Sequence, residues 1–230
     1  MSTNLFRVRV VLVDSPGPGP EPHWSVVFVT GLEACLRQEG IDVKRLSGPV
    51  SVRLPLHRVD AAICDAGSEI ALAAILRHDL VDVVVHAGVG ARGSPNMLWL
   101  AQRLGSDAVA VVRSAEVVCQ RGDLVDGEGE ACTDFADAER CAACCCHGKR
   151  RPRSDELRNR LDLFVAGLQA CSTVWLGDDD QAERLEQVGV PRRVLRQCSH
   201  EAMVDSVAAD IIVRRARSDD LALPPRTPSA

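Results

Sequence analysis

Short apolar runs alternate with longer amphipathic stretches along most of this chain. Arg7–Asp14 and Val81–His86 are rich in β-branched residues and have the length of strands buried on both faces. Trp24–Glu39 places apolar residues at helical spacing and stops at Gly40, and Ile41–Leu46 is a second strand-like run. Strand, glycine-containing loop, helix and strand in this order predict a βαβ unit.

The alternation continues to the end of the chain. Ser94 and Pro95 form a typical helix start, Gly105 ends that helix, and Ala108–Val112 follows as a buried strand. The other predicted strands are Asp60–Asp65, Ser172–Leu176 and a run that begins at Val194–Arg196, and the other predicted helices are Glu69–Arg77, a helix starting at Ser154, and Asp180–Val188.

This order of elements predicts an α/β fold with a single doubly wound, mostly parallel, Rossmann-like sheet. We expect the domain to span residues 1–217, with a disordered tail at 218–230 that is rich in Pro and Ser. Ligands bind such sheets at the carboxyl ends of the strands. In this chain those ends lead into Ser15–His23, His86–Arg92 and Arg113–Glu116.

The composition of the chain argues against several classes of function. The 230 residues are 46% hydrophobic and 26% charged with a net charge of −5, which gives no basic footprint for nucleic acid or an anionic membrane. The apolar run Val10–Val13 is too short for a signal peptide, and no stretch has the ~20 apolar residues of a transmembrane helix. We therefore expect a cytoplasmic protein with reduced thiols, no nucleic-acid partner and no transmembrane segment.

Residues 119–147 stand out because they hold six of the ten cysteines among turn-forming and acidic residues. Such a segment has too few large apolar side chains for their burial to offset the entropy lost when it becomes ordered. A metal bound by thiolates can offset that loss instead, because metal binding is coupled to folding. The spacing Cys-x12-Cys-x8-Cys-x2-Cys predicts a structural zinc site, with an iron–sulfur cluster as the other candidate. Free cysteines in a surface loop and structural disulfides are the alternatives. The predicted ligands are Cys119, Cys132, Cys141 and Cys144.

Other candidate residues lie after the predicted strands. Gly17 and Gly19 would let a ligand approach the backbone, His23 lies at the entrance to the first helix, and His86 ends a strand. A plain turn, and histidines satisfied by the nearby backbone, are the alternatives. The sequence contains neither a Gly-x-Ser-x-Gly nucleophile motif nor a Gly-x4-Gly-Lys-Ser/Thr phosphate loop, which argues against a hydrolase triad and a P-loop nucleotidase.

The segments VRVVLVD, VDVVVHAG, LAQRLGSDAVAVV and CQRGDLVDGEGEAC occur in an order that resembles a known family. Over about residues 7–198 the chain resembles the N-terminal, acceptor-side domain of family-4-like, two-domain (GT-B) glycosyltransferases. The resemblance implies a nucleotide-sugar donor and an unknown acceptor held near Ser15–His23 and His86. The donor-binding second domain of that family does not follow, so the resemblance also implies a separate donor-binding subunit as partner.

The chain departs from this family at the strand before the cysteine-rich segment. Many relatives end that strand in His-Asp, whereas this chain has Arg113 and Ser114 there, so the catalytic residues are unknown and enzymatic activity is left open. We expect His86 and Arg113 to face the ligand or partner on a common rim. The alternative to a glycosyltransferase half is a non-catalytic binding or scaffold protein with the same fold. A third candidate is a metal or redox sensor built on Cys144–Cys146.

Overall fold

The structure, a computed structural model, describes residues 9–14, 24–47, 66–89, 94–113, 115–119, 124–145, 152–177 and 179–221. Within these residues it has one sheet of six strands and seven α-helices. The strands are β1 (Arg9–Asp14), β2 (Asp42–Ser47), β3 (Val83–Ala87), β4 (Asp107–Val112), β5 (Thr173–Leu176) and β6 (Leu195–Gln197). The helices are α1 (Trp24–Gln38), α2 (Ala66–His78), α3 (Asn96–Arg103), α4 (Ala138–Cys144), α5 (Ser154–Gln169), α6 (Asp179–Gln187) and α7 (Met203–Leu221).

All neighbouring strands are parallel, in the order β2-β1-β3-β4-β5-β6. This confirms the predicted α/β class with a single parallel sheet. The chain moves outward from β1 to β2 and then crosses back to β3 on the other side of β1. The order of strands therefore reverses between β1 and β3, and the loops that leave a sheet at such a switch point diverge and open a crevice for ligands.

Two helical layers cover the sheet. Helices α1 and α7 pack on one side, which we call the α1/α7 face, through an apolar cluster that includes Phe28, Leu32, Val207 and Ile211. Helices α2, α3, α5 and α6 cover the opposite side, the α2/α3 face, in a larger cluster. Successive strand residues point to opposite faces, so each strand contributes to both clusters. This explains why the strands are apolar throughout rather than alternating.

Local sequence accounts for the main boundaries and contacts. Gly40 has a φ of 70°, the left-handed conformation that ends α1 before β2. Gly167 lets α5 approach α3 closely, since a β-carbon at that position would lie 2.8 Å from the carbonyl oxygen of Pro95. The predicted strand Asp60–Asp65 lies outside the described residues. Helix α7 was not predicted, and the expected domain boundary at residue 217 falls inside it.

The cysteine-rich segment enters between β4 and β5. Its described part contains an isolated antiparallel bridge between Val125 and Ala131 and the short helix α4. Asp137 caps α4 by accepting hydrogen bonds from the backbone N–H groups of Glu139 and Arg140. Helix α4 packs on α5 through a small cluster formed by Ala138, Ala142 and Leu157.

Candidate functional site

Asp14 ends β1 at the switch point, on the carboxyl edge of the sheet. Val10 and Leu12 belong to the cluster on the α1/α7 face, so the alternation of the strand turns Asp14 toward the same face. Its side chain is only 1% exposed. A carboxylate at this depth needs hydrogen-bond donors, because burying an unpaired charge is costly.

Two residues of β2 supply some of these donors. Arg45 donates to Asp14 Oδ2 from Nε at 2.9 Å and also from Nη2, and Ser47 Oγ donates to the same oxygen at 3.1 Å. Arg45 is itself held by Thr30 of α1, whose hydroxyl oxygen accepts from Nη1 at 3.0 Å. The other carboxylate oxygen, Asp14 Oδ1, is buried and accepts no hydrogen bond from the described residues. One oxygen is thus saturated while the second keeps its acceptor capacity.

An arginine–tryptophan pair lies on the same edge and face. Arg113 directly follows β4, whose Val109 and Val111 lie on the α1/α7 face, so the alternation places Arg113 there as well. Its guanidinium carbon is 5.7 Å from the ring centroid of Trp24, the first residue of α1, which is a cation–π distance. Because β3 separates β1 from β4, and Arg113 lies two residues beyond Val111, which is in register with Asp14, the backbones of Asp14 and Arg113 are about 12 Å apart.

His86 lies in a different environment. It falls between Val85 and Ala87, both on the α1/α7 face, so its side chain points to the α2/α3 face. The residue is 0% exposed, and neither ring nitrogen has a hydrogen-bond partner in the described part of the protein. Burial lowers the pKa of His86 from 6.5 to about 4, because the interior disfavours the imidazolium. The imidazole is therefore neutral at pH 7.

The expected rim containing His86 and Arg113 is not formed, because strand alternation separates the two side chains onto opposite faces of the sheet. A role for either in ligand binding stays a prediction. The predicted glycine loop with Gly17, Gly19 and His23 lies outside the described residues. Sequence analysis missed Asp14 as a site residue, although a carboxylate that closes an otherwise apolar buried strand at a switch point is a usable signal.

The structure brings five thiols of the cysteine-rich segment around one small cavity of about 20 Å³. The cavity is also lined by Phe135 and by Arg140, which forms salt bridges with Asp126 and Asp134. The five cysteines are Cys119, Cys132, Cys141, Cys144 and Cys145.

The thiol of Cys141 shows how close the five cysteines lie. Its pKa is raised to about 11, chiefly by burial and also by Cys132, Cys145, Cys119 and Cys144, because each neighbouring thiolate would repel its negative charge. The thiol donates to the carbonyl of Phe135, with Sγ 3.5 Å from the oxygen. Cys141 is therefore protonated at neutral pH.

The predicted four-cysteine metal site is not shown by the structure. Among the residues that the structure describes, no group of three or more His, Cys, Asp or Glu side chains is placed to hold a metal ion. The five thiols line the cavity, and two of them are engaged elsewhere, since Cys141 donates to the carbonyl oxygen of Phe135 and Cys144 to that of Val125. The eight described cysteines are free thiols. Zinc, or an iron–sulfur cluster, stays a prediction from the spacing alone.

No protein-family model and no curated protein matches this chain. Solved structures give weak likenesses. A periplasmic solute-binding protein of an ABC transporter from Actinobacillus succinogenes, with bound D-allose, has a TM-score of 0.36 at 10% identity, covering 95% of this chain and 94% of that one. The arabinose-binding component of a Shewanella transporter has a TM-score of 0.36 at 14% identity, covering 94% and 87%. The sugar isomerase domain of a transcription factor from Sphaerobacter thermophilus has a TM-score of 0.31 at 12% identity, covering 92% and 79%.

These findings correct the predicted function. The matched structures named here are sugar-binding proteins and a regulator rather than glycosyltransferases, and no glycosyltransferase family model matches. The prediction that this chain is a glycosyltransferase half is therefore wrong, and the expected nucleotide sugar and donor-binding subunit have no support among these findings. The resemblance of the sequence segments to a glycosyltransferase domain is not tested by these comparisons and stays a prediction. Within the described residues, no helix is both long and apolar enough to cross a membrane.

Proposed function

We propose that this chain is a non-catalytic binding protein whose ligand, a small molecule rich in hydroxyl groups, lies at the carboxyl edge of the sheet beside Asp14. The observation that carries the proposal is the Oδ1 atom of Asp14, a buried carboxylate oxygen that accepts no hydrogen bond from the described residues. It lies at the switch point between β1 and β3, where open sheets of this kind bind their ligands.

An unpaired buried acceptor costs about 1 to 3 kcal/mol, and more when it is charged. A ligand that donates a hydrogen bond to Oδ1 removes this cost, so the binding of such a ligand is favourable. The negative charge of Asp14 is already compensated by Arg45, which contacts the other oxygen. The remaining oxygen therefore needs a donor but not a second cation, and a neutral hydroxyl group meets this need.

The same geometry argues for binding rather than catalysis. General acid–base chemistry needs a titratable side chain within hydrogen-bond reach of the reacting group. Asp14 is ion-paired with Arg45, and His86 lies on the opposite face of the sheet.

The test is calorimetric titration of the purified chain with a panel of monosaccharides and polyols, repeated with Asp14→Asn. We expect at least one member of the panel to bind. In the variant, the amide oxygen can still accept from Arg45, but the NH2 group then replaces the acceptor that faces the ligand. Because a hydrogen bond to a charged group is worth about 1.5 to 3 kcal/mol, affinity should fall about tenfold or more.

Asp107→Asn is the matched control. Asp107 also pairs with an arginine, at 2.8 Å from Arg214, but it begins β4 at the amino edge of the sheet. This variant should bind like the wild type. Failure of every member of the panel to bind, or equal binding by wild type and Asp14→Asn, would overturn the proposal. Urea unfolding of each variant verifies that the fold is intact.

A further inference from the structure

Five of the ten cysteines line the small cavity of the cysteine-rich segment. Three of them, Cys141, Cys144 and Cys145, follow helical spacing and therefore lie on one face of α4 and its carboxyl end. Cys132 belongs to the other wall of the cavity, one residue after Ala131 of the antiparallel bridge. The helix and the bridge thus each bring thiols to the same enclosed space.

Contacts between the two walls show that these thiols lie close together. The Sγ atom of Cys144 donates to the carbonyl oxygen of Val125, 3.7 Å away, which ties α4 to the bridge. Among the neighbouring thiols, Cys132 has the strongest influence on the pKa of Cys141, as expected of the thiol nearest to it. Cys132 and Cys141 are both half-buried free thiols, so a small reagent can reach them.

The cavity also gives these thiols room to move. A disulfide holds its sulfur atoms about 2.05 Å apart, much closer than two thiols that only touch, so its formation requires the side chains to rotate toward each other. A cavity of about 20 Å³ has space for such a rotation. Helix α4 is anchored on α5 by the small cluster of Ala138, Ala142 and Leu157, so a movement at its other face disturbs little of the main core.

We infer that this cluster is a site of reversible oxidation, at which Cys132 and Cys141 form a disulfide and a small-molecule disulfide, such as oxidised glutathione, is the oxidant. The inference goes beyond the proposed function and does not depend on it. The thiolate of one cysteine attacks a sulfur atom of oxidised glutathione, breaks its S–S bond and releases one glutathione thiolate. The thiolate of the other cysteine then attacks the protein-bound sulfur atom and releases the second. The two cysteines lose two electrons and two protons in total, and one oxidised glutathione becomes two reduced glutathione molecules.

The expected consequence is a more ordered segment in the oxidised protein. The disulfide joins the bridge to α4 within a stretch that is rich in turn-forming and acidic residues and holds few large apolar side chains. A cross-link restricts the conformations open to the chain between the two joined residues. Opening of residues 124–145 should therefore be rarer in the oxidised protein and should return to its original frequency on reduction.

The experiment equilibrates the full chain with mixtures of reduced and oxidised glutathione, with a metal chelator present, and maps disulfides by mass spectrometry. Trypsin cleaves after Arg140, which places Cys132 and Cys141 on different peptides, and fragmentation of the linked peptides identifies the pair. As the oxidised share rises, we expect one disulfide between Cys132 and Cys141, which reduced glutathione reverses. Hydrogen exchange of residues 124–145 should slow about tenfold or more in the oxidised protein, and Cys132→Ser should abolish both effects.

Cys198→Ser is the matched control, because Cys198 is also a half-buried free thiol but follows β6, outside the cluster. This variant should oxidise like the wild type. Absence of a disulfide in oxidised glutathione alone overturns the inference, as does a glutathione adduct that persists without closure, or a disulfide between any other two cysteines. Slowed exchange that survives in Cys132→Ser also overturns it. Urea unfolding of each reduced variant verifies that the fold is intact, and disulfide mapping of the wild type tests the pair without any substitution.

Discussion

The buried imidazole of His86 gives the sharpest test of the structure, because its neutral state makes the stability of the fold depend on pH. In the folded protein its pKa is lowered to about 4 by burial, whereas in the unfolded chain it returns to its ordinary value of 6.5. Between these two values the unfolded chain binds a proton that the folded chain does not. Stability from this residue is therefore fully present above pH 6.5 and is lost as the pH falls toward 4.

The magnitude follows from the two pKa values. Each pH unit between them is worth about 1.4 kcal/mol, so the interval from 6.5 to about 4 amounts to a loss of about 3 kcal/mol. At pH 5 the loss from His86 is already about 2 kcal/mol relative to pH 8. Carboxylates also destabilise the fold on acidification, so only a comparison with a variant isolates the histidine.

The variant is His86→Leu, which keeps an apolar side chain of similar size and cannot be protonated. Urea unfolding followed by circular dichroism at pH 8, 6 and 5 gives the free energy of unfolding. The wild type should lose about 2 kcal/mol more than His86→Leu between pH 8 and pH 5. His78→Leu is the control, since it removes an exposed histidine at the end of α2 and leaves His86 in place. Equal pH dependence in the wild type and His86→Leu would refute the argument, as would an imidazole pKa near 6.5 measured by NMR in the folded protein.

Three further predictions concern packing, anchoring and thiol reactivity. Gly167→Ala should destabilise the fold by about 1 to 3 kcal/mol in urea unfolding, because its β-carbon would lie 2.8 Å from the Pro95 carbonyl, whereas Gly127→Ala, which meets no atom within 4 Å, should be nearly neutral. Arg214→Ala should cost about 1 to 3 kcal/mol, because Arg214 donates from α7 to Asp107 and to the start of β5; a neutral result in the same assay would contradict this. Cys141 should react with iodoacetamide much more slowly in the folded protein than in urea at pH 8, because its pKa is raised to about 11; equal rates by mass spectrometry would argue against the cavity.

The fold was largely predictable because its core obeys simple periodicity. Runs such as Val83–Ala87 are too short for a helix and too apolar for an exposed strand, and glycine positions such as Gly40 end helices by a conformation that other residues avoid. Helix α7 was missed for a physical reason. Its core positions are occupied by Met203, Val207, Ala208 and Ile211 among small and charged residues, so its apolar stripe is weak in sequence and becomes evident only against α1.

The candidate site was less predictable because its members come from separate strands. Asp14, Arg45 and Arg113 are brought together only by a strand order that places β1 between β2 and β3, and no local spacing in the sequence records that order. The cysteines show a second limit of prediction from the sequence. Their clustering in sequence correctly indicates that the thiols lie near one another, but spacing alone does not fix the direction of each thiol around the cavity.

Strand alternation then decides which groups at the carboxyl edge act together. A shift of one residue along a strand moves a side chain to the other face of the sheet. His86 thus belongs with the apolar interior under α2 and α3, while Asp14 and Arg113, reached from the same edge, belong with α1. The paired carboxylate and the arginine on its tryptophan therefore lie on the side of the sheet that α1 covers, and the neutral histidine on the other side stabilises the fold only where the pH leaves it uncharged. Ligand binding and acid sensitivity should in consequence respond to different substitutions, even though the residues concerned lie on adjacent strands.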